Sequence, residues 1–403
     1  MIPKFIRKKF RGVQVPLGKW IVRHVLEFII LSPAIFVTFF WLKLRKYEVL
    51  QIGESPVISR FIAPLEPELR LRYHNLALLN KVIVINLAED ANSQIRKMYD
   101  KYLSILGSEK PFRRRLVWWA SRFANGHRLL VENKSDLSWS TDIALHSLSD
   151  QEIENGVQFL ADHRVMSGKE FICYAVRSES YYLKLAKIGV AVKPRSVRNS
   201  NEDLYLQALN SIGGNLPVFR MGKDIEIALD ANKYSDVVDY ANKYRTDFLD
   251  VFLISRCKFL LVGNTGLFWM NAIFGKSTLH CDLYDIRHQV LTRDLMIFQK
   301  VWLINEKRIA TVSEMLKMKS EYSDERHQTR LGVELVKNTA DEIYEACQEM
   351  NAQIDGTWKS TPEDEELQQR YLDLVIEYSD QPTWRGGGRV GSQFLRDNQD
   401  LLR

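Results

Sequence analysis

The stretch "CKFLLVGNTGLFWMNAIFGKSTLHCD", residues 257–282, has the pattern of a strand, a tight turn, a helix and a second strand. Its first apolar run ends at Gly263, a short polar turn follows, and the apolar run "LFWMNAIF" comes next. A continuous apolar run bounded by glycine is typical of a strand in a parallel sheet that is buried on both faces. The turn, which contains Asn264, Thr265 and Gly266, has two interpretations: it only turns the chain, or its amides bind an anion.

The same alternation extends outward from this stretch. Helical patterns over 150–163 and 201–212 are each followed by an apolar strand, "EFICYAV" (170–176) and "LPVFRMG" (216–222). A further helical pattern, "TDFLDVFLISR", directly precedes the opening stretch. Such alternation predicts an α/β fold with a doubly wound, largely parallel sheet, in which ligands bind outside the carboxyl ends of the strands.

The N-terminal half shows a weaker form of this pattern. The runs "YEVLQIG" (47–53) and "KVIVINL" (81–87) predict two buried parallel strands, and 92–106 predicts a helix. A chain of 403 residues has room for two or three domains. We therefore expect two α/β domains.

Three strand ends carry residues that suit an anionic ligand. Arg177 follows the first C-terminal strand, Arg220 closes the next, and Asn264–Gly266 follow the third. Arginine forms forked hydrogen bonds with phosphate oxygens, and glycines permit close approach of the backbone to a ligand. Each feature also has a structural interpretation, because an arginine at a strand end is usually solvated or ion-paired.

Several common site motifs are missing from the sequence. It has no Gly-x-x-x-x-Gly-Lys phosphate loop, no Gly-x-Gly-x-x-Gly fingerprint and no Asp-x-Asp metal clamp. We expect no metal and no cofactor. If a nucleotide diphosphate is the leaving group, arginines and helix dipoles must then stabilise it.

The N-terminus is basic and apolar. Residues 1–46 hold ten basic side chains and one acid, a net charge of +9, which leaves −3 for the rest of a chain whose net charge is +6. The uncharged run 28–42 would span about 22 Å as a helix, short of the hydrocarbon core of about 30 Å. We expect an in-plane or re-entrant membrane anchor, kinked at Pro33; a tilted span from Val22 and a core helix are the alternatives.

The four cysteines do not form a metal-binding pattern. Cys173, Cys257, Cys281 and Cys347 have no metal-ligand spacing, which predicts buried free thiols. The body of the chain has no basic excess, so we expect no nucleic-acid partner.

The chain resembles a family of bacterial glycosyltransferases linked to surface-polysaccharide synthesis. The resemblance runs from "FICYAVRSESYYLK" through "SVRNSNEDLYLQAL" and "LPVFRMGKD" to the stretch quoted first, and includes "VKNTADEIYEACQEM" and "RVGSQFLRDNQDLL" near the end. The C-terminal half is similar, more distantly, to protein O-fucosyltransferases. These resemblances imply the GT-B arrangement, two Rossmann-like domains that face a cleft.

The implied organisation has four segments. Residues 1–46 form the membrane-associating segment, 47–150 the N-terminal (acceptor) domain, 151–345 the C-terminal (donor) domain, and 346–403 a helical segment that packs back on the domains.

The resemblance also implies roles for single residues. Arg177, Arg220 and the loop Asn264, Thr265 and Gly266 match positions expected to hold donor phosphates. Asp247 matches one that reaches a ribose or base, and Asp250 one that caps or packs. Arg198 and Asn199 match an Arg-Asn pair of that family, to which no role is assigned.

The chain departs from the family pattern at two positions. Ser178 replaces an Asp, and "QIGES" near the first strand has Glu54 where relatives have a His that would serve as general base. A buried carboxylate can deprotonate a hydroxyl, so Glu54 is the candidate base, with Glu66 and Glu68 as alternatives.

The function that the resemblance implies is metal-independent transfer of a sugar from a nucleotide-diphosphate donor to a hydroxyl of a membrane-linked or surface glycan. The expected partners are the nucleotide sugar, a glycan or lipid-linked acceptor, and an anionic membrane surface at the cytoplasmic face of the inner membrane. The alternative is a non-catalytic, membrane-attached partner in a polysaccharide assembly complex.

Overall fold

The computed structural model describes two compact units. The described residues are 17–52, 57–73, 80–124, 126–130, 145–163, 165, 168–177, 183–184, 186–187, 196–212, 216–225, 227–230, 232–287, 290–319, 321–323, 325–378 and 388–403, with the backbone alone for 17–24, 323, 325 and 326. Of these, residues within 1–133 and 182–193 form unit 1, and residues within 134–181 and 194–403 form unit 2.

Unit 1 is built on a four-stranded parallel sheet. Its elements are α1 (Leu17–Arg45), β1 (Glu48–Ile52), α2 (Ile58–Arg72), β2 (Val82–Asn86), α3 (Ser93–Tyr99), β3 (Ser104–Leu106), α4 (Pro111–Ser121) and β4 (His127–Leu129). The strand order is β3-β2-β1-β4, and every pairing is parallel. The strands predicted over 47–53 and 81–87 are confirmed as β1 and β2, which pair with Leu50 opposite Val84.

The helix predicted over 92–106 is wrong in its second half. α3 ends at Tyr99, and the following residues form β3, which extends the sheet beside β2 with Ile105 opposite Val84. Ile105 and Leu106 are buried there. Pairing at the sheet edge therefore overrides the helical spacing of these apolar residues.

The helix α1 is longer than the uncharged run that predicts it. It extends over 29 residues and continues through Pro33. Ile35 and Leu42 are buried in a cluster with side chains of β1, β2 and α4. Among the described helices, the part of α1 over Val25–Arg45 has the length and apolar composition needed to cross a membrane.

Unit 2 contains a seven-stranded parallel sheet. Its elements are α5 (Asp150–Asp162), β5 (Ile172–Val176), α6 (Glu202–Ser211), β6 (Val218–Arg220), β7 (Val237–Val238), α7 (Tyr240–Lys243), α8 (Asp247–Arg256), β8 (Leu260–Gly263), α9 (Phe268–Ile273), β9 (Thr278–Leu283), β10 (Leu295–Phe298), β11 (Lys300–Leu303), β12 (Arg308–Ile309), α10 (Val312–Lys317), α11 (Glu325–Leu331), β13 (Val333–Val336), α12 (Ala340–Ile354), α13 (Pro362–Tyr378), β14 (Arg389–Val390) and α14 (Ser392–Asp397). The large sheet has the order β14-β10-β9-β8-β5-β6-β7, and β12-β11-β13 form a small antiparallel sheet. The predicted parallel α/β fold is confirmed.

The middle strands of this sheet are buried throughout. Every residue of β8 and β9 is buried, as expected of parallel strands covered on both faces. The helix α5 begins with a capping box: the Ser149 hydroxyl accepts the N–H of Glu152 at 3.3 Å, and the Glu152 carboxylate accepts the N–H of Ser149 at 2.8 Å.

The C-terminal segment contributes a strand to the large sheet as well as helices. β14 pairs with β10 at its edge, and the N–H of Val390 donates to Gln368 of α13 at 3.0 Å. The ring of Phe394 on α14 lies 4.8 Å from that of Phe298 on β10. The described residues of 346–403 therefore contribute to the core of unit 2. The boundaries proposed from sequence near 150 and 346 stay predictions.

Gly156→Ala is expected to destabilise unit 2, although alanine normally favours a helix interior over glycine. A Cβ at Gly156 of α5 would overlap the ring of Phe252 on α8, which is fully buried. Overpacking of this kind lowers the free energy of unfolding by about 1–3 kcal/mol. Urea unfolding followed by circular dichroism measures the loss.

The matched control is the double variant Gly156→Ala/Phe252→Leu, which makes room for the added methyl group. It should recover part of the lost stability relative to the single variant. A Gly156→Ala protein as stable as the wild type would show that this contact between α5 and α8 is not as close as described.

Candidate functional site

The order of strands in unit 2 reverses beside β5. The chain runs outward from β5 to β6 and β7, then returns to place β8 on the other side of β5. In open α/β sheets, ligands bind outside the carboxyl ends of the strands at such a point. The N–H of Arg177, directly after β5, donates to the carbonyl of Gly263 at 3.2 Å. The structure therefore brings Arg177 and the loop after β8 together, as the sequence predicts.

The loop after β8 has a well-defined conformation. Asn264 has φ 49°, a left-handed value that asparagine adopts more readily than most residues. Its side-chain amide donates to the carbonyl of Asp282 at 2.5 Å, and the Thr265 hydroxyl accepts the N–H of Leu267 at 3.4 Å. Within the described chain, the N–H groups of Thr265 and Gly266 donate to no protein acceptor. These two amides are therefore candidate donors to a ligand.

Gly263 is required by packing rather than by a ligand. A Cβ at this position would overlap the hydroxyls of Ser200 and Tyr205, so glycine lets the segment before α6 lie against the end of β8. The helix after the loop, α9, has six residues and no side-chain cap at Leu267. So short a helix has a small dipole. An anion bound at this edge would therefore be stabilised mainly by nearby charged side chains and less by the helix dipole that the sequence analysis invokes.

Arg198 lies against the same loop. It belongs to a turn of 3-10 helix over Ser196–Arg198, and its guanidinium donates to the carbonyl of Asn264 at 3.4 Å. The guanidinium carbon lies 5.3 Å from the ring centroid of Tyr284. Its buried Nε and the buried side-chain oxygen of Asn199 have no hydrogen-bond partner in the described part of the chain. Arg198 is thus a second cation beside the loop, which sequence reasoning matched to a motif without assigning a role.

A buried aspartate, Asp282 of β9, organises this edge of the sheet. Its carboxylate accepts the N–H of Asn338 at 2.8 Å and the hydroxyl of Tyr205 at 3.1 Å. Its carbonyl accepts the amides of Asn264 at 2.5 Å and Gln299 at 2.8 Å. Asp282 itself has φ 55°. It therefore joins α6, the β8 loop, the end of β10 and the segment after β13.

Lys337 adds a third cation to this region. Its ammonium donates to the carbonyl of Val197 at 2.9 Å, beside Arg198. Burial lowers the pKa of Lys337, and the charge of Asp282 opposes that shift. Among the described residues, Arg198 and Lys337 thus bring two cationic side chains close to the loop after β8, and positive charge suits a phosphate.

Arg220 lies deeper in the sheet and binds two carboxylates. Arg220 pairs with Tyr174 of β5, which comes three residues before Arg177. Three residues of a strand span about 10 Å, so Arg220 lies about that far from Arg177 along the strand direction. Its guanidinium forms two hydrogen bonds to Glu202, one of 2.7 Å, and one to Asp239 at 3.2 Å. It also donates to the carbonyl of Ile227 at 2.8 Å.

These contacts give Arg220 a structural role. Glu202 is the first residue of α6 and Asp239 precedes α7, so the buried guanidinium joins β6 to the N-terminal ends of both helices. Its donors face these protein acceptors rather than an open crevice. The predicted contact between Arg220 and donor phosphate stays a prediction, and the geometry favours an indirect role.

Asp247 and Asp250 belong to one ion-pair cluster on the first turn of α8. Arg245 donates to Asp247 at 3.0 Å and to Asp250 at 2.7 Å, and the Tyr240 hydroxyl donates to Asp250 at 2.9 Å. Burial raises the pKa of Asp250 to about 6, against the opposing charge of Arg245. Asp250 has the packing role expected of it, and the nucleotide contact of Asp247 stays a prediction.

The candidate general bases belong to unit 1. Glu54 lies outside the described residues, as does Ser178 in unit 2. Glu66 is fully buried and accepts hydrogen bonds from Arg70 at 2.8 Å and from the Tyr99 hydroxyl at 2.6 Å. Glu68 is held by Arg128 at 2.8 Å. Both alternatives are therefore engaged in ion pairs that stabilise α2.

The cysteines are buried free thiols, as predicted: Cys173, Cys257, Cys281 and Cys347. Burial raises the pKa of Cys281 and Cys347. Within the part of the chain that the structure describes, no group of three or more His, Cys, Asp or Glu side chains is placed to hold a metal ion.

No known protein-family model matches the sequence, and no curated protein matches it significantly. Three solved structures are similar over part of the chain. They are the ADP-heptose lipopolysaccharide heptosyltransferase II of E. coli (13% identity, 58% of this chain and 84% of that one, TM-score 0.37), a family 9 glycosyltransferase of Veillonella parvula (8%, 58% and 80%, 0.36) and the iron-containing dodecameric glycosyltransferase TibC of enterotoxigenic E. coli (10%, 59% and 58%, 0.32). At TM-scores this low, the similarities do not establish a family or a function.

Arg220→Ala is expected to destabilise the protein by about 3–5 kcal/mol, because it leaves the carboxylates of Glu202 and Asp239 without their buried cation. Urea unfolding measures the change. The control is Arg389→Ala, which removes the partner of the exposed Glu365 and should cost about 0–1 kcal/mol. A fully stable Arg220→Ala protein would contradict the structural role.

Asp250→Asn is expected to remove a pH dependence of stability. Because the pKa of Asp250 is about 6 in the folded protein and about 4 in an unfolded chain, only the folded protein keeps this proton between those values. Wild-type stability should therefore fall by up to about 3 kcal/mol as pH rises through that window, and the variant should lack this fall. Urea unfolding at the two ends of the window tests it; identical pH profiles would contradict the assignment.

Proposed function

We propose that this chain is a glycosyltransferase that binds a nucleotide-diphosphate sugar at the carboxyl edge of the unit 2 sheet, between β5 and β8. The observation that carries the proposal is the loop Asn264–Gly266 at the reversal of strand order. Where this loop begins, the backbone N–H of Arg177 donates to the carbonyl of Gly263 and the guanidinium of Arg198 donates to that of Asn264. The sequence resemblance to bacterial glycosyltransferases supports the reaction class. The GT-B arrangement belongs to the proposal on the same ground.

The diphosphate would bind to two kinds of donor, backbone N–H groups and guanidinium groups. The N–H groups of Thr265 and Gly266 donate to no protein acceptor in the described chain, the guanidinium of Arg198 contacts the same loop, and the backbone of Arg177 is bonded to Gly263 just before it. Backbone amides and guanidinium groups are the donors that phosphate oxygens prefer. The carboxylate oxygens of Asp282 accept hydrogen bonds from Asn338 and Tyr205.

These donors would serve the chemical step as well as binding. When the bond between the sugar and the diphosphate breaks, negative charge develops on the leaving phosphate oxygen. Fixed N–H groups and arginines stabilise that charge more in the transition state than in the ground state, which lowers the barrier. We therefore propose a metal-independent sugar transfer, in which cationic side chains of the protein stabilise the charge on the leaving diphosphate.

The remaining roles are also part of the proposal. Glu54 is the candidate base that takes the proton of the acceptor hydroxyl, and the acceptor is a membrane-linked or surface glycan. Asp247, at the start of α8, is the candidate contact to the ribose or base. Arg220 has an indirect role in the proposed site. Its ion pair with Glu202 positions the start of α6, which follows the segment that carries Arg198.

Nucleotide binding is expected and can be measured by isothermal titration calorimetry with UDP, GDP and ADP. At least one should bind to the wild type. Arg198→Ala should weaken that binding by about 10- to 100-fold, as expected for the loss of a charged hydrogen bond to phosphate. Arg389→Ala, an arginine of β14 that pairs with Glu365, is the matched control and should bind as the wild type does.

Turnover separates the two functional alternatives. If the preferred nucleotide binds and its sugar derivative is consumed with an acceptor glycan, Glu54→Gln should abolish consumption and leave binding unchanged. A chain that binds nucleotide without turnover under all conditions would favour the non-catalytic partner instead. Equal binding by Arg198→Ala and wild type, or no binding of any nucleotide, would contradict the proposed site.

A further inference from the structure

We propose that α1, held by α4, is an in-plane membrane-binding surface that inserts one side into a single leaflet of an anionic bilayer and does not cross it. The inference concerns unit 1 and does not depend on the chemistry proposed for unit 2. It decides between the in-plane anchor and the span that the sequence alone leaves open.

The first observation is an exposed apolar side of α1. Its large exposed side chains recur every three or four residues, which places them on one side of the helix. They are Val25, Leu26, Ile29, Ile30, Phe36, Val37, Phe40, Trp41 and Leu44, here called the exposed stripe. Ile30 is 73% exposed and Val37 68%. An apolar surface of this extent is unusual on a protein that meets only water.

The second observation is that the opposite side of α1 is packed along its length. Its contacts with the core of unit 1 come from Phe28, Leu31, Ile35, Phe39 and Leu42. Ile35 and Leu42 are fully buried, and the ring of Phe28 lies 5.1 Å from that of Trp119 on α4. From Phe28 to Leu42 this packed side extends about 21 Å along the helix. The helix is therefore fixed lengthwise on unit 1.

This packing is incompatible with a membrane span. A crossing helix must be surrounded by lipid or by other apolar helices over about 30 Å. α4, which covers the inner side of α1, carries Arg113, Arg114 and Arg115, and Arg115 pairs with Glu27 of α1 at 3.1 Å. Arginines and the open edges of a sheet do not enter hydrocarbon. Hence α1 lies along the membrane with the exposed stripe toward the lipid.

Charge identifies the lipid as the occupant of this surface. Residues 1–46 contain ten basic side chains, and Glu27, their one acid, is already paired with Arg115. Lys43 and Arg45 are exposed in the last turn of α1, where they can meet anionic head groups. A second copy of the chain is a poor occupant, because two segments of +9 repel each other in either orientation.

Vesicle flotation of the full chain tests the surface. Wild type should bind phosphatidylcholine vesicles that contain phosphatidylglycerol, and bind pure phosphatidylcholine vesicles weakly. Ile30→Glu/Val37→Glu should lower binding to the anionic vesicles by about tenfold or more, because both side chains lose their burial in lipid. Ile376→Glu, at an exposed apolar residue of α13, is the control and should bind as wild type does. Unchanged circular dichroism shows that the double variant is folded; equal vesicle binding by the folded double variant and wild type would overturn the proposal.

Cysteine labelling tests the orientation. The four native cysteines are buried, so introduced thiols at Lys19→Cys, Arg45→Cys and Lys359→Cys dominate the reaction with a membrane-impermeant maleimide. If α1 lies in the membrane plane, the thiols of Lys19→Cys and Arg45→Cys both react with maleimide added outside intact vesicles, as the thiol of Lys359→Cys in unit 2 does. Protection of one end until the vesicles are lysed would show a span and overturn the proposal. A soluble dimer that breaks on Ile30→Glu/Val37→Glu, with no vesicle binding, would overturn it as well.

Discussion

The buried groups of Asp282 hold together the edge of the sheet on which every proposed ligand contact depends. Its carboxylate bonds to Tyr205 of α6 and Asn338, and its carbonyl bonds to Asn264 and Gln299. A buried carboxylate is tolerated only when its hydrogen bonds are made. One residue therefore fixes four segments that are far apart in the sequence, and it sets the left-handed turn of the loop after β8.

A fixed loop matters for the chemistry proposed here, because donors that are in place before the reaction need no reorganisation when charge develops. The backbone N–H of Arg177 and the guanidinium of Arg198 are bonded to the carbonyls of Gly263 and Asn264, where that loop begins, and Arg220 holds α6 through Glu202. In unit 1, structural and functional roles belong to different sides of α1. One side packs on the core of unit 1, and the other is exposed and is the proposed membrane-binding surface.

The sequence predicts the sheet well and the side-chain contacts poorly. Continuous apolar runs such as β8 and β9 identify buried strands, and their alternation with helices predicts a parallel sheet. Arg220 shows the limit: at a strand end it has the same sequence signature as Arg177, yet it binds Glu202 and Asp239, which only the folded chain brings to it. Ile105 shows a second limit of sequence reasoning. Its spacing from other apolar residues predicts a helix, but it lies in β3 and pairs with Val84 of β2.

The most direct test of the central claim is a crystal structure of the full chain with the nucleotide diphosphate that binds in solution. The account predicts electron density for the diphosphate at the carboxyl ends of β5 and β8, within hydrogen-bonding distance of the N–H groups of Thr265 and Gly266 and of the guanidinium groups of Arg177 and Arg198. A nucleotide bound elsewhere on the chain, with this loop unoccupied, would contradict it.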